Sequence, residues 1–154
     1  MNSKNFIVHT RDSKKIYLKV LYKNMELQVG VKVLLKNKEN KYLVMLRSAI
    51  KYPEAGAKWE IPGGRINSGT VLLENLKREV MEETGLTIDD EVKLIDAQDI
   101  IRPHKQIVRL TYTGEANGEV MLSDEHTDFQ WLTIEEIKNL DPIDQYLKEI
   151  LEKF

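Results

Sequence analysis

Residues 64–86 read GRINSGTVLLENLKREVMEETGL, and the end of this block, Arg78 to Gly85, constrains the chain more than any other stretch. From Thr70 to Thr84 the apolar spacing is helical, with Leu73, Leu76 and Val80 forming a core-facing stripe. Glu79, Glu82 and Glu83, at i, i+3 and i+4, are expected on one neighbouring side of that helix. Gly85 is suited to ending it. The last turn is a poor place for carboxylates, because the helix dipole repels anions there and like charges at this spacing repel each other. The two effects cost roughly 1 kcal/mol together. A cation held between the carboxylates reverses the sign. Hard oxygen ligands that converge on one point suit Mg²⁺, with Mn²⁺ as a substitute.

The rest of the chain frames this helix with strands. Residues 15–22 are β-branched and aromatic-rich between polar clusters and read as a strand. Residues 26–35 alternate apolar and polar at Leu27, Val29, Val31 and Val33, the pattern of a half-buried strand. A turn over residues 36–41 and a returning strand over 42–46 complete a hairpin. Further strands are expected over residues 92–95, 107–113 and 129–132. Thr133 and Glu136 have capping-box spacing and open a short helix. Asp141 and Pro142 start a last helix with Ile143, Leu147, Ile150, Leu151 and Phe154 on one side. Strands on both sides of an interior helix, with another helix at the end, indicate a mixed α/β (α+β) domain.

The 154 residues fit a single domain, 1–154, with no visible linker or repeat. Apolar content of 42% against 31% charged residues is ordinary for a soluble globular protein. Without cysteine there is no disulfide, thiol nucleophile or thiolate metal site. The first fifteen residues lack a signal-peptide apolar region, and no apolar run approaches a membrane span. The expectation is a cytoplasmic protein without a membrane partner. A net charge of −2 is no footprint for a nucleic-acid polymer. An anionic substrate would need a metal or local basic side chains.

The spacing from Gly64 to Leu86 resembles the signature of the Nudix hydrolases: Gly, five residues, Glu, seven residues, then Arg-Glu-apolar-any-Glu-Glu-any-Gly-apolar. Arg78, Glu79, Val80, Glu82, Glu83, Gly85 and Leu86 match in register behind Gly64, and the lead-in Trp59-Glu60-Ile61-Pro62-Gly63-Gly64 is similar too. One position departs, Thr70 standing where the pattern has Glu. In the family that Glu commonly supports the Arg, so Arg78 lacks a carboxylate partner unless another residue replaces it. Thr70 fits a helix N-cap instead.

The resemblance implies a mixed sheet sandwiched between helices and a metal-dependent pyrophosphohydrolase of the MutT-like kind. It makes Glu79, Glu82, Glu83 and Gly63 the candidate metal ligands. Glu79, Glu82, Arg78 and Glu125 are the candidate catalytic residues, with the general base left open among the glutamates. Arg47, Glu60, Gly63 and Gly64 are candidates for substrate binding, the glycines because backbone can approach phosphates where a Cβ would intrude. Trp59 and Trp131 are read as core or cleft-wall residues. His104 and His126 lack a ligand-spaced partner and are not zinc candidates.

The favoured substrate is a nucleoside triphosphate or related nucleotide. ADP-ribose, suggested weakly by Pro103, and dinucleoside polyphosphates stand behind it. The alternative from another class is a non-catalytic Nudix-fold module that binds a nucleotide. Oligomeric state is open, with a homodimer among the options.

Overall fold

The computed structural model describes residues 25–154, and the strand expected over residues 15–22 lies outside them. Strand β1 (Glu26–Lys36) runs through the middle of the sheet. After a turn closed by Asn37 N–H on the Lys41 carbonyl, β2 (Tyr42–Arg47) returns, yet the two strands pair only at Lys36 and Tyr42. Further along lie β3 (Trp59–Glu60), β4 (Thr87–Ile88), β5 (Lys93–Arg102), β6 (Lys105–Asn117) and β7 (His126–Leu132). β1 lies parallel to β6 along its whole length, from Glu26 opposite Lys105 to Lys36 opposite Glu115. β6 also pairs antiparallel with β5 and β4, while β2 takes β3 and β7 antiparallel.

The other edge of β1 is filled by the segment around the two glycines. Val33 N–H donates to the Pro62 carbonyl (3.0 Å), Val31 N–H to Gly64 (2.8 Å), and Ile66 N–H to the Val29 carbonyl (3.0 Å). Backbone pairing therefore fixes the glycine turn against the central strand.

Helix α1 (Leu72–Thr84) covers one face of the sheet. Its Leu76 and Val80 pack with Val31, Val33, Leu35, Leu43, Met45 and Tyr112. Helices α2 (Ile134–Lys138) and α3 (Gln145–Leu151) cover the other, where Ile137, Leu147 and Leu151 meet Leu34, Val44, Trp59 and Ile61. The expected mixed sheet between helices is the observed architecture. It also explains why the half-buried alternation expected of β1 holds only in part. Val33, Leu34 and Leu35 are all buried, because each face has its own helical layer, whereas Leu27 at the other end is exposed.

Two helix starts differ from expectation. Thr70 is not the N-cap: its N–H closes a turn on the Asn67 carbonyl (3.0 Å), and α1 begins after Val71, which gives no side-chain cap. The last helix begins after Asp144 rather than at Pro142, because the Asp144 carboxylate accepts the Leu147 N–H (2.9 Å) and supplies the cap. Its apolar side is narrower than the sequence suggests, with Ile143 half-buried and Phe154 exposed. The capping box at Thr133 and Glu136 forms as expected. Gly85 ends α1 in the left-handed region, with its N–H on the Met81 carbonyl (2.9 Å).

Gly63 and Gly85 both have positive φ, but their surroundings differ. A Cβ on Gly63, at φ 122°, would lie 2.2 Å from the Val31 carbonyl oxygen and 2.9 Å from the Lys32 Cα, both backbone. On Gly85, at φ 69°, its closest neighbours would be Met121 side-chain atoms at 3.2 Å, with the Met121 backbone N at an ordinary 3.6 Å. Gly63→Ala is expected to cost about 3–5 kcal/mol of unfolding free energy, against about 1 kcal/mol for Gly85→Ala. Urea denaturation of the two variants checks the order, and equal losses would contradict it.

Candidate active site

A cleft of about 540 Å³ opens where β1, β2 and β3 meet the glycine turn and α1. Glu79 and Glu83 line it from the helix, Gly63 and Gly64 from the turn, Arg47 and Glu60 from β2 and β3, and Glu125 from the loop before β7. Those seven sequence-derived candidates share one cavity. Neither Glu82 nor Arg78 is among its lining residues.

Helical geometry explains the separation of Glu82 from its neighbours. Successive residues rotate by about 100°, so Glu83 is carried toward the buried stripe of Leu76 and Val80 while Glu82 turns to solvent. Glu83 is buried and Glu82 exposed. The Glu83 carboxylate reaches back to accept the Gly63 N–H at 2.8 Å. Glu79 lies against the turn one residue on, so that a Cβ at Gly64 would stand 2.3 Å from its Oε2. Arg78 holds Glu82 with Nη1 at 2.5 Å, and with Nη2 it donates to Glu79 and to Asn75 Oδ1 (3.1 Å). The repulsion expected at this end of the helix is thus relieved in part by Arg78. The carboxylate group expected on one side is divided: Glu79 and Glu83 face the cleft, and Glu82 faces outward.

Glu60 is the electrostatic centre of the opposite wall. It is buried and takes Arg47 Nε (3.0 Å) and Nη2 (2.5 Å) as a bidentate pair. His126 Nε2 lies 3.0 Å from its Oε1 and Lys32 Nζ 3.8 Å from its Oε2. A carboxylate can only accept, so His126 Nε2 is the donor in this contact. Burial alone would raise the pKa of Glu60. Lys32, His126 and Arg47 outweigh it and hold the carboxyl well below the usual range. Glu83 is displaced the other way: burial pushes its pKa up, and Lys32 and the Gly63 N–H offset this only in part. A bulge at the end of β2, between Leu46 and Arg47, sets Arg47 opposite His126 and makes the cluster possible.

The donor set suits a hard divalent cation in kind: carboxylate oxygens, the Gly63 carbonyl, and a buried Glu83 whose charged form burial disfavours. As the side chains stand, no three carboxylate or imidazole groups among the described residues lie close enough to share one ion.

Sequence reasoning missed one cleft residue, Lys32, and two buried residues behind the site, His126 and Asn75. Lys32, which also donates to the Ile61 carbonyl (3.0 Å), reads in the sequence as the polar half of an alternating strand. His126 has no ligand-spaced partner in the sequence, and its partner, Glu60, is a carboxylate brought near by the sheet. Asn75, fully buried, carries a signal that was available: a polar amide beside Leu76 inside an amphipathic helix. Trp59 is a core residue and Trp131 a partly buried one, as expected. His104 lies outside the cleft lining.

Comparison with known proteins identifies the family. The family described as NUDIX domain matches residues 26–154. A solved MutT protein from Methanosarcina mazei superposes with a TM-score of 0.72 at 26% identity, covering 84% of this chain and 93% of that one. A Mycobacterium tuberculosis protein named "Putative 8-oxo-dGTP diphosphatase 2" is 26% identical over 98 residues, 64% of this chain and 70% of its own length. The mouse asymmetrical bis(5'-nucleosyl)-tetraphosphatase is 34% identical over 87 residues, 51% of this chain and 57% of its own. The chain belongs to the NUDIX family and is a MutT-like hydrolase of pyrophosphate linkages. Enzymes of this family generally use divalent metal ions and act on small nucleotides. Among the described residues no helix is long and apolar enough to cross a membrane.

Two outcomes follow from the geometry. Gly64→Ala should keep the fold, because the new methyl meets the mobile end of a side chain, but it should displace Glu79. Turnover is expected to fall by about tenfold or more with the melting temperature nearly unchanged, and unaltered turnover would show that Glu79 is not needed where it sits. Glu60, with its folded-state pKa depressed, contributes stability that is present above the unfolded value of about 4.3 and lost as pH falls toward the folded one. Glu60→Gln should therefore lower the melting temperature at neutral pH and flatten its acid dependence. A variant with the wild-type acid limb would rule Glu60 out as its source.

Proposed function

We propose that this protein hydrolyses a pyrophosphate linkage in a nucleoside triphosphate or related nucleotide, with Mg²⁺ as cofactor and Mn²⁺ as substitute. The observation that carries the reading is the charge layout of the cleft, with Glu79 and Glu83 beside the glycine turn and cationic side chains beyond. Glu79, Glu83 and the Gly63 carbonyl would hold the cation, and Glu82 joins them only by leaving Arg78. A divalent cation bound there would neutralise pyrophosphate charge and lower the pKa of a water.

The chain's own residues supply the rest. Gly63 and Gly64 let phosphates approach the backbone without a Cβ in the way. Arg47, fixed by Glu60, offers its remaining guanidinium edge to a phosphate oxygen. Arg78 neutralises charge beside Glu79. Glu125, partly exposed and 3.5 Å from Lys51 Nζ, is placed at the cleft to orient or deprotonate the attacking water.

A second hollow of about 510 Å³ continues past Arg47 and Glu60, rimmed by Lys58, Arg65, Arg102 and Lys105. None of these four has a carboxylate within ion-pair distance among the described residues. Such a basic extension favours a second reading, a dinucleoside polyphosphate, whose further phosphates would run into it. ADP-ribose stays behind both.

The deciding experiment is phosphate and nucleotide release from a panel of nucleoside triphosphates, dinucleoside tetraphosphates and ADP-ribose, with and without Mg²⁺. Nucleoside triphosphates are expected to turn over fastest, and Glu83→Gln to cut that rate by roughly a hundredfold or more. Mg²⁺-independent turnover, or normal rates in Glu83→Gln, would defeat the assignment.

A further inference from the structure

Asn75 stands at an unusual place for an amide. It is fully buried in the first turns of α1, next to Leu76 in the core. An unsatisfied amide there would be costly, and asparagine is a poor helix former. Its hydrogen bonds account for it. Oδ1 accepts the Asn67 N–H (3.2 Å) and Arg78 Nη2 (3.1 Å), using both lone pairs, while Nδ2 donates to the Arg65 carbonyl (3.2 Å). One side chain thus ties the strand-to-helix loop at two points and holds the guanidinium one turn further along the helix. Thr70 makes no side-chain hydrogen bond to Arg78 among the described residues.

We propose that Asn75 is the positioning residue for Arg78: it fixes the guanidinium, and through it Glu79, at a set distance from the glycine turn. The contact is geometrically selective. A hydroxyl at position 75 is too short to serve both the loop and Arg78, and an apolar side chain would leave the Asn67 N–H and the Arg65 carbonyl unpaired. This inference rests on the role proposed for Arg78 behind Glu79, which lines the carboxylate end of the cleft.

Three variants test it. Asn75→Ala should lower kcat by about tenfold to a hundredfold, with a much smaller change in KM and weaker Mg²⁺ binding by calorimetry. Asn75→Asp keeps both acceptor contacts but sets a carboxylate against the Arg65 carbonyl. It should therefore melt at lower temperature yet keep kcat within about threefold of wild type, a separation that a purely structural role would not give. Arg78→Ala checks the underlying reading on its own. Full turnover in Arg78→Ala ends both claims, whereas loss there with normal kcat in Asn75→Ala ends this one alone. A folded but inactive Asn75→Asp also overturns it. If alanine prevents folding, the unmodified chain decides by NMR: separate, slowly exchanging guanidinium signals of Arg78 are expected, and averaged, fast-exchanging ones refute the tether.

Discussion

The hydrogen bond from the Gly63 N–H to the Glu83 carboxylate joins the two parts of the molecule that have to be in register. On one side is a turn whose backbone completes the edge of β1; on the other is the last turn of the glutamate-bearing helix. Nothing else among the described contacts links the turn so directly to the end of α1. It is a charge-assisted bond made where burial disfavours the charged acid, so its geometry is selective: the carboxylate is held by a donor that cannot move without unzipping the strand. Position is thereby inherited from the sheet, and the rest of the cleft is arranged around it.

That dependence explains what was legible beforehand. The glycine-to-leucine block announced a helix, its end at Gly85, and the identity of the acids, because each of those is a local property of spacing. Division of the three glutamates was not announced. It depends on which way the helix is rotated against the sheet, and that is settled by Leu76 and Val80 finding Val31 and Val33 across the core. Similarly, His126 and Lys32 carry no local mark of function. They become partners of Glu60 only when β1, β3 and the start of β7 are brought together, contacts separated by dozens of residues. The start of α1 was misplaced for a different reason: Thr70 has the chemistry of a cap but is engaged in a turn on Asn67, and local chemistry cannot tell which of two adjacent turns will claim a residue. Burial of Leu34 on the second face of β1 is legible only once the closing helices are known to pack there.

Electrostatically the cleft is built from opposed displacements. Glu60 is surrounded by cationic and hydrogen-bonding partners and stays ionised across all ordinary pH. Glu83, equally buried, has among the described residues one close donor, the Gly63 N–H, and the more distant Lys32. Two carboxyls within one cavity are therefore set apart by their surroundings, one permanently occupied by its own protein partners and the other still short of positive charge. The second is the one that gains from an added cation, which is why the metal-binding reading centres on the helix and the turn rather than on the wall that carries Glu60.

The cleft is supplied by two largely separate sets of elements. Its carboxylate end comes from main chain and a single helix, locked by the strand pairing of residues 62–66. Its basic end comes from side chains at the β5–β6 turn and the loop ahead of β3, joined by Arg65 from the glycine-turn segment itself. Substitutions at Lys58, Arg102 or Lys105 alter no backbone bond of the glycine turn and no packing under α1. On the proposed function, substrate preference in this chain can consequently drift over evolutionary time while the carboxylate end stays as it is.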